Sequence, residues 1–278
     1  MLAHKGITKF VTVAMATLIV GGAAPAALAA TVTVAAAGDI AKPDAPGKRQ
    51  TQTANLITNV IRPARVFPLG DEQYPAGEFG QFLASYDPTW GVFKGMSAPV
   101  PGNHEYDTPN AAGYFQYFGS VLSPFGPTAT DPAKGYYSFN LGDWHILAIN
   151  SNCFAIDCPS EISWIQQDLA ADSHLCELAF YHHPVKKFAK PLAAQGVDVA
   201  LVGHKHVYER WNDVFGLNLR QLIVGTGGRS LGTLDPAADA EVHAYGVAKL
   251  TLNAGSYSWS FIDVTGAVRD SGSDTCHA

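Results

Sequence analysis

The sequence predicts an α/β fold in which two packed sheets are flanked by helices. Two observations carry that reading. Short β-branched runs alternate with helical patterns early in the chain, and strand patterns follow one another late in it. With 278 residues, 47% of them hydrophobic, the chain can bury one substantial core, which excludes disorder and a fibrous repeat. No internal repeat and no Pro-, Ser- or charge-rich linker interrupts it, so a single domain is expected over residues 30–278.

Taken in order, residues 31–37 read as a buried strand ending at Gly38-Asp39. Ala54, Ile57, Val60 and Ile61 put one helical face on residues 53–61, and Pro63 stops that helix. Residues 66–69 form the next strand, ending at Gly70-Asp71, and Pro99-Val100 leads into Pro101-Gly102-Asn103-His104. Residues 136–141 and 144–149 make a hairpin across Gly142-Asp143. Residues 161–170 are a helix behind a Ser160 cap, with Ile162, Trp164, Ile165 and Leu169 on its apolar side. Residues 178–181 and 197–202 are strands ending at His182 and at Gly203-His204. Residues 222–224, 244–252 and 257–264 close the chain as strands.

Charge and leader narrow the function. Eighteen Lys and Arg against 24 Asp and Glu leave a net charge of −6, so no cationic excess exists to neutralise nucleic-acid phosphates, and no nucleic-acid partner is expected. Only 15% of residues are charged, while Gly (27) and Pro (17) are plentiful, which points to a loop-rich protein with a neutral surface. Lys5 and Lys9 precede an apolar run over residues 10–20, and Ala27-Leu28-Ala29 follows. This is the pattern of a cleaved secretory signal peptide over residues 1–29. Gly21, Gly22 and Pro25 break the run below the roughly 20 apolar residues that spanning requires, so no membrane anchor is expected. The four cysteines (Cys153, Cys158, Cys176, Cys276) agree with an oxidising, exported setting. Cys153 and Cys158 are close enough to close a small loop, and Cys176 with Cys276 would then tie the tail to the body. The other two pairings stay open, and no C-x-x-C pair suggests zinc.

Five strand ends finish with residues of metal-ligand type. They are Gly38-Asp39, Gly70-Asp71-Glu72-Gln73-Tyr74, Gly102-Asn103-His104-Glu105, Tyr181-His182-His183 and Gly203-His204-Lys205-His206. Open sheets gather their sites at the carboxyl ends of strands, and a glycine before the ligand lets the backbone turn close to an ion. A lone Gly-Asp or a lone His is usually just a satisfied polar residue. Five such ends in order, all with N or O donors, make coincidence a poor explanation.

This order resembles the calcineurin-like metallophosphoesterases. Gly70-Asp71-x-x-Tyr74 and Gly203-His204-x-His206-x-Tyr208-Glu209-Arg210 are similar to the purple acid phosphatase branch, and residues 270–277 look like the tail of its bacterial members. The resemblance covers residues 39–210 and implies a four-layer αββα sandwich of two mixed sheets flanked by helices. One departure is informative. The superfamily usually has a ligating His where Ala41 stands here, and the purple acid phosphatases replace it with the Tyr that corresponds to Tyr74. The implied first metal is held by Asp39, Tyr74, His206 and a bridging Asp71, and the second by Asp71, Asn103, His182 and His204. A phenolate is a hard donor, so Fe³⁺ is expected beside Tyr74, with Fe²⁺, Zn²⁺ or Mn²⁺ at the second position. The resemblance gives His104 a contact to phosphate or a proton for the leaving oxygen, and His183 a contact to the phosphoryl group. Glu105, Tyr208, Glu209 and Arg210 are implied to orient the ligands.

The function implied is a secreted, dinuclear phosphoesterase that hydrolyses small phosphate monoesters by attack of a metal-bound hydroxide. A phosphodiesterase or nucleotide hydrolase on the same site is the alternative, and a non-catalytic binding protein with the same fold is the rival from another class. Asp39 falls soon after Ala29, so the sandwich domain that many plant members carry ahead of the catalytic one is not expected. Two weaker signals remain. Gly225-Thr226-Gly227-Gly228-Arg229 lacks the spacing of a phosphate-binding loop and reads as a turn near the site rim. Lys186, Lys187 and Lys190 read as a solvated loop, brief enough to leave the site open, with attraction of an anionic substrate as the sharper alternative. Nothing in the sequence specifies an oligomeric state.

Overall fold

The computed structural model describes residues 1–2, 31–43 and 48–277. The expected signal peptide lies outside the described residues, apart from its first two. Within them run strands β1 (Val32–Ala37), β2 (Arg65–Pro68), β3 (Tyr137–Leu141), β4 (Trp144–Ala148), β5 (Cys176–Tyr181) and β6 (Val199–Val202). They are followed by β7 (Tyr208–Trp211), β8 (Arg220–Val224), β9 (Ala240–Val242), β10 (Gly246–Asn253), β11 (Ser256–Asp263) and β12 (Val268–Thr275).

These strands form two mixed sheets. One has the order β12-β11-β10-β1-β2, in which only β1 and β2 run parallel. The other has the order β3-β4-β5-β6-β8-β7-β9, with β4, β5, β6 and β8 parallel. Period-two alternation decides which side chains fill which layer. Leu178, Phe180, Leu201, Leu222 and Val224 join the core shared with the five-stranded sheet. There Phe67 stacks on Phe180 at 4.6 Å and Tyr208 on Phe261 at 4.2 Å. Their neighbours Ala179, Tyr181, Ala200, Val202 and Ile223 belong to a second core, to which helices Cys158–Ala171 and Lys186–Ala194 contribute Ile165, Leu169, Phe188 and Leu192. Helices Lys48–Leu56 and Ala112–Leu122 add Leu56, Tyr114, Tyr117 and Phe118 to the first core. Each such fully buried side chain contributes about 1.5–3 kcal/mol. The two-sheet sandwich with flanking helices expected from the sequence is therefore the observed fold.

The differences have local causes. The first helix begins at Lys48 rather than at residue 53 and continues as a wider turn to Ile61, ending at Arg62 in a left-handed conformation. Asp157, not Ser160, caps helix Cys158–Ala171. Its carboxylate accepts from Ser160 N at 3.3 Å and from Ser160 Oγ at 2.6 Å, so the helix starts before the expected cap. Helix Ala112–Leu122 carries aromatics and two glycines, which have weak helical preference, and burial of Tyr114, Tyr117 and Phe118 is what holds it. The segment after His183 is not a brief loop. It is helix Lys186–Ala194, whose buried Phe188, Ala189 and Leu192 outweigh the breaker signal of Pro191, and Lys186, Lys187 and Lys190 are its solvated face. Strand β12 has no apolar pattern to read and is recruited by pairing with β11. Disulfides join Cys153 to Cys158 and Cys176 to Cys276, the pairing that ties the tail to the start of β5.

Two residues expected to orient ligands do something else. Tyr208 Oη donates to Asp270 Oδ2 at 2.7 Å, and Arg210 Nε donates to the same oxygen at 2.9 Å. Trp259 Nε1 adds a third donor at 3.2 Å. Asp270 lies on β12, so this cluster fastens the edge of one sheet to β7 of the other. Burial alone would raise the Asp270 pKa, but the hydrogen bonds from Arg210, Tyr208 and Trp259 outweigh it and hold the carboxyl below its ordinary value. A depressed folded-state pKa means that the carboxylate stabilises the fold above its unfolded value, about 3.9, and that this is lost as pH falls through the folded value. Asp270→Asn is expected to lower the unfolding free energy by about 1.5–3 kcal/mol at pH 7. In urea titrations the gap between variant and parent should close as the pH drops below 4, and a gap independent of pH would count against the ionic role.

Candidate metal centre

All five expected strand ends meet at one edge of the sandwich, because β1 and β2 in one sheet and β5 and β6 in the other finish there. Asp39 follows β1; Asp71 and Tyr74 follow β2; His182 and His183 follow β5; His204 and His206 follow β6. Asn103 and His104 come from the segment that runs beside β2, where Ala98 N donates to Val66 O and Val100 N donates to Pro68 O. The turns are sharp. Asp39, Asp71, His204 and His206 all have left-handed φ (58°, 49°, 73° and 56°), a conformation L residues hold only where the surroundings enforce it. Gly102 shows how close the packing is. A Cβ there would come within 2.1 Å of Asp71 Oδ1.

The donors fall into two groups that share Asp71. Tyr74 Oη lies 2.8 Å from Asp39 Oδ1, 2.8 Å from Asp71 Oδ2 and 3.2 Å from His206 Nε2, which is itself 3.1 Å from Asp39 Oδ1. On the other side, His182 Nε2 lies 3.4 Å from Asp71 Oδ1, 3.2 Å from Asn103 Oδ1 and 3.2 Å from His204 Nδ1. Asp39, Asp71 and His182 are fully buried and Tyr74 nearly so, while His206 is half-buried and His204 exposed.

This donor set suits cations. One phenolic proton cannot satisfy both carboxylate oxygens that flank Tyr74. Burial, then the charges of Asp39 and Asp71, push the Tyr74 pKa far up, which is the signature of a phenol among anions. On the His182 side, Nδ1–H donates to Leu69 O at 2.8 Å, which turns Nε2 toward the oxygens of Asp71 and Asn103. Metal-binding imidazoles are commonly held through their other nitrogen in this way. Burial lowers the His182 pKa, but Asp71 outweighs it and lifts it to about 9, so a proton stands where the oxygens call for a positive charge. Asp71, opposed by burial but held by His182 and His104, stays well below the usual carboxylate range. The chemistry of the donors and their mutual spacing fit two metal ions bridged by one carboxylate.

The rim carries the two other expected residues. His104 Nδ1 reaches Pro75 O and Asp107 Oδ2, the latter at 3.2 Å, and its Nε2 lies 3.9 Å from Asp71 Oδ2. The His183 ring centre is 4.6 Å from that of His204, and burial, followed by the neighbouring imidazoles His182 and His204, pushes its pKa down to about 3. Ser151 Oγ accepts from His183 N and lies 2.9 Å from His183 Nδ1. With the hydroxyl hydrogen turned to Nδ1, the ring proton sits on Nε2. Ser151 was not among the expected residues. It follows β4 with the same polar-after-apolar signature as the other strand ends, and that signal was there to be used.

Glu105 does the orienting expected of it. Its buried carboxylate accepts from Asp71 N (2.9 Å), Gln73 N (3.1 Å) and Gly102 N (2.7 Å), joining the loops that carry Asp71, Tyr74 and Asn103. Glu209 reaches the His204–His206 loop through Lys205 Nζ at 3.3 Å. Glu72 has no role in the sequence pattern beyond its place in the Gly70–Tyr74 strand end. It is fully buried beside Glu105, neither of its carboxyl oxygens has a hydrogen-bond partner among the described residues, and burial with the Glu105 charge raises its pKa strongly.

No family model matches the chain. Purple acid phosphatase 15 of Arabidopsis thaliana is 25% identical over 169 residues, which is 50% of this chain and 32% of that protein. The Arabidopsis thaliana protein named probable inactive purple acid phosphatase 1 is 24% identical over 220 residues, covering 64% of this chain and 36% of its own length. The chain thus spans about a third of the length of the curated relatives it matches. Among solved structures, purple acid phosphatase PPD1 from yellow lupin (Lupinus luteus) seeds has a TM-score of 0.68 at 19% identity, over 89% of this chain and 54% of the lupin chain. These likenesses bear out the expected fold and the resemblance to the purple acid phosphatases.

Removing the Glu105 carboxylate would orphan three buried N–H groups and leave a cavity. Glu105→Ala is expected to lower stability by about 3 kcal/mol or more. Chemical denaturation measures this, and an unchanged midpoint would mean that the three loops are held by other means.

Proposed function

We propose that this chain is a secreted, dinuclear metal-dependent phosphoesterase of the purple acid phosphatase type, with phosphate monoesters as its substrates. The observation that carries the reading is the Asp71 carboxylate, which turns one oxygen to Tyr74 and the other to His182 and so can serve two cations at once. Asp39, Tyr74, His206 and Asp71 would hold one ion, and Asp71, Asn103, His182 and His204 the other. When bound, ions held by these residues would supply Lewis-acid activation of water and electrostatic stabilisation of phosphoryl transfer at mild pH. Fe³⁺ beside the Tyr74 phenolate, with Fe²⁺, Zn²⁺ or Mn²⁺ at the other position, suits the hardness of the donors.

The protein's own groups do the rest. His104, anchored through Nδ1, directs Nε2 toward the Asp71 side of the site, where it can give a proton to the leaving oxygen. His183 stays neutral at working pH, and its Nε2–H can donate to a phosphoryl oxygen without adding charge. Export is supported by the two disulfides and by the leader pattern over residues 1–29. No helix among the described residues is long and apolar enough to cross a membrane.

Asp71→Asn and His204→Ala are each expected to abolish nearly all hydrolysis while circular dichroism is retained. His104→Ala should lower turnover by 10²-fold or more and leave metal content near that of the parent. A His104→Ala protein that loses its metal would move His104 from proton donor to ligand support. Elemental analysis of the protein purified without added metals should find two ions per chain, one of them iron. Two ions without iron would make Tyr74 a packing residue. A protein that takes up no metal and cleaves neither a monoester nor the matched diester would be an inactive relative, as one of the similar proteins is named.

A further inference from the structure

A cavity of about 400 Å³ opens beside the metal centre, lined by Lys42, Pro43, Tyr74, Pro75, His104 and Arg229. It is within the size range of sites that enclose whole small ligands, and it is larger than a phosphoryl group alone requires. Arg229 is the residue that gives it a character. Its guanidinium carbon lies 4.8 Å from the centre of the Tyr74 ring, and its charge is felt by His206. Its Nε is buried and has no hydrogen-bond partner among the described residues.

The backbone holds Arg229 at that place. Arg229 N donates to Asp39 O at 2.8 Å, and Gly227 N donates to Gly38 O at 2.9 Å, so the loop is tied to the strand end that carries Asp39. At Gly228 a Cβ would come within 2.4 Å of Ile40 O, so the loop is packed directly on that segment. A buried guanidinium donor without an acceptor is unfavourable. The planar fork of arginine matches an oxyanion in two-point contact. The Tyr74 face beneath it adds cation–π support that keeps the fork in the cavity.

We propose that Arg229 forms an anion subsite in this cavity, and that the chain prefers phosphate monoesters whose leaving group bears a second oxyanion, a carboxylate or a phosphate. The inference rests on the phosphoesterase reading of the adjoining site. The phosphoryl group would face His104 and the metal ligands, and the second anion would face the guanidinium across the Tyr74 ring.

The test compares kcat/KM for phenyl phosphate, 4-carboxyphenyl phosphate and hydroquinone bisphosphate in the parent and in Arg229→Gln. Taking each variant's ratio to its own phenyl phosphate value cancels leaving-group effects and any general loss of activity. The preference for the two esters that bear a second anionic group should fall tenfold or more in Arg229→Gln, through KM rather than kcat, and Arg229→Lys should restore part of it. Loss confined to the bisphosphate would assign the subsite to phosphate, and loss confined to the carboxylated ester would assign it to carboxylate. Equal loss on all three esters would make Arg229 a support for Tyr74 and overturn the subsite. If the parent cleaves none of them, the phosphoesterase reading falls by itself. Calorimetry with phenylphosphonate and 4-carboxyphenylphosphonate then decides the subsite. Tighter binding of the second, erased in Arg229→Gln, upholds it, and equal binding of the two refutes it.

Discussion

Two buried carboxylates, Asp39 and Asp71, each stand 2.8 Å from the Tyr74 hydroxyl, which has one proton to offer them. That crowding of anionic oxygens is unfavourable unless positive charge answers it. Much of the surrounding structure follows from holding it in place. Four left-handed residues, the close approach of Gly102 to Asp71, and the carboxylate of Glu105 gripping three backbone N–H groups all serve to keep these donors converged. The raised pKa values of Tyr74 and His182 favour protons there, the positive charge that the chain itself can offer.

Holding donors from five strand ends to a few tenths of an ångström requires two sheets that do not slide. Stacking of Phe67 on Phe180 and of Tyr208 on Phe261 supplies the apolar contact between them. The Asp270 cluster and the Cys176–Cys276 bridge fasten the polar outer strand β12, which has little apolar side chain of its own to bury. Tyr208 and Arg210, adjacent in sequence to the ligand-bearing loop, thus act at a distance from it. They keep the second sheet in register with the first.

The fold does not by itself carry an activity. One of the similar proteins is named as a probable inactive member. In this chain the expected donors converge at one edge, with Tyr74 Oη beside Asp39 and Asp71 where Ala41 offers no ligand. The rim is also furnished, with His104, His183 and Arg229 held by Pro75, Ser151 and Asp39 respectively. On the proposed reading, binding ions and sorting esters are separate requirements, and the residues assigned to them come from different loops.

Residue order pointed to the two-sheet architecture and to the strand ends where ligands could gather, because ends with Gly-Asp or Gly-His are local features that need no partner to be read, and the family resemblance picked the individual ligands among them. Burial decided what propensity could not. Helices Ala112–Leu122 and Lys186–Ala194 form against their glycine, aromatic and proline content because packed neighbours reward them, and the polar strand β12 forms because β11 offers its edge. The cap of helix Cys158–Ala171 is Asp157 because a carboxylate there reaches the free Ser160 N–H. Only the tertiary structure could bring Asp270 to Arg210, Glu105 to Asp71, and Arg229 to the face of Tyr74. Each of these joins residues on different loops or strands, most of them far apart in the chain, and no local pattern encodes a contact that exists only once two sheets have closed on one another.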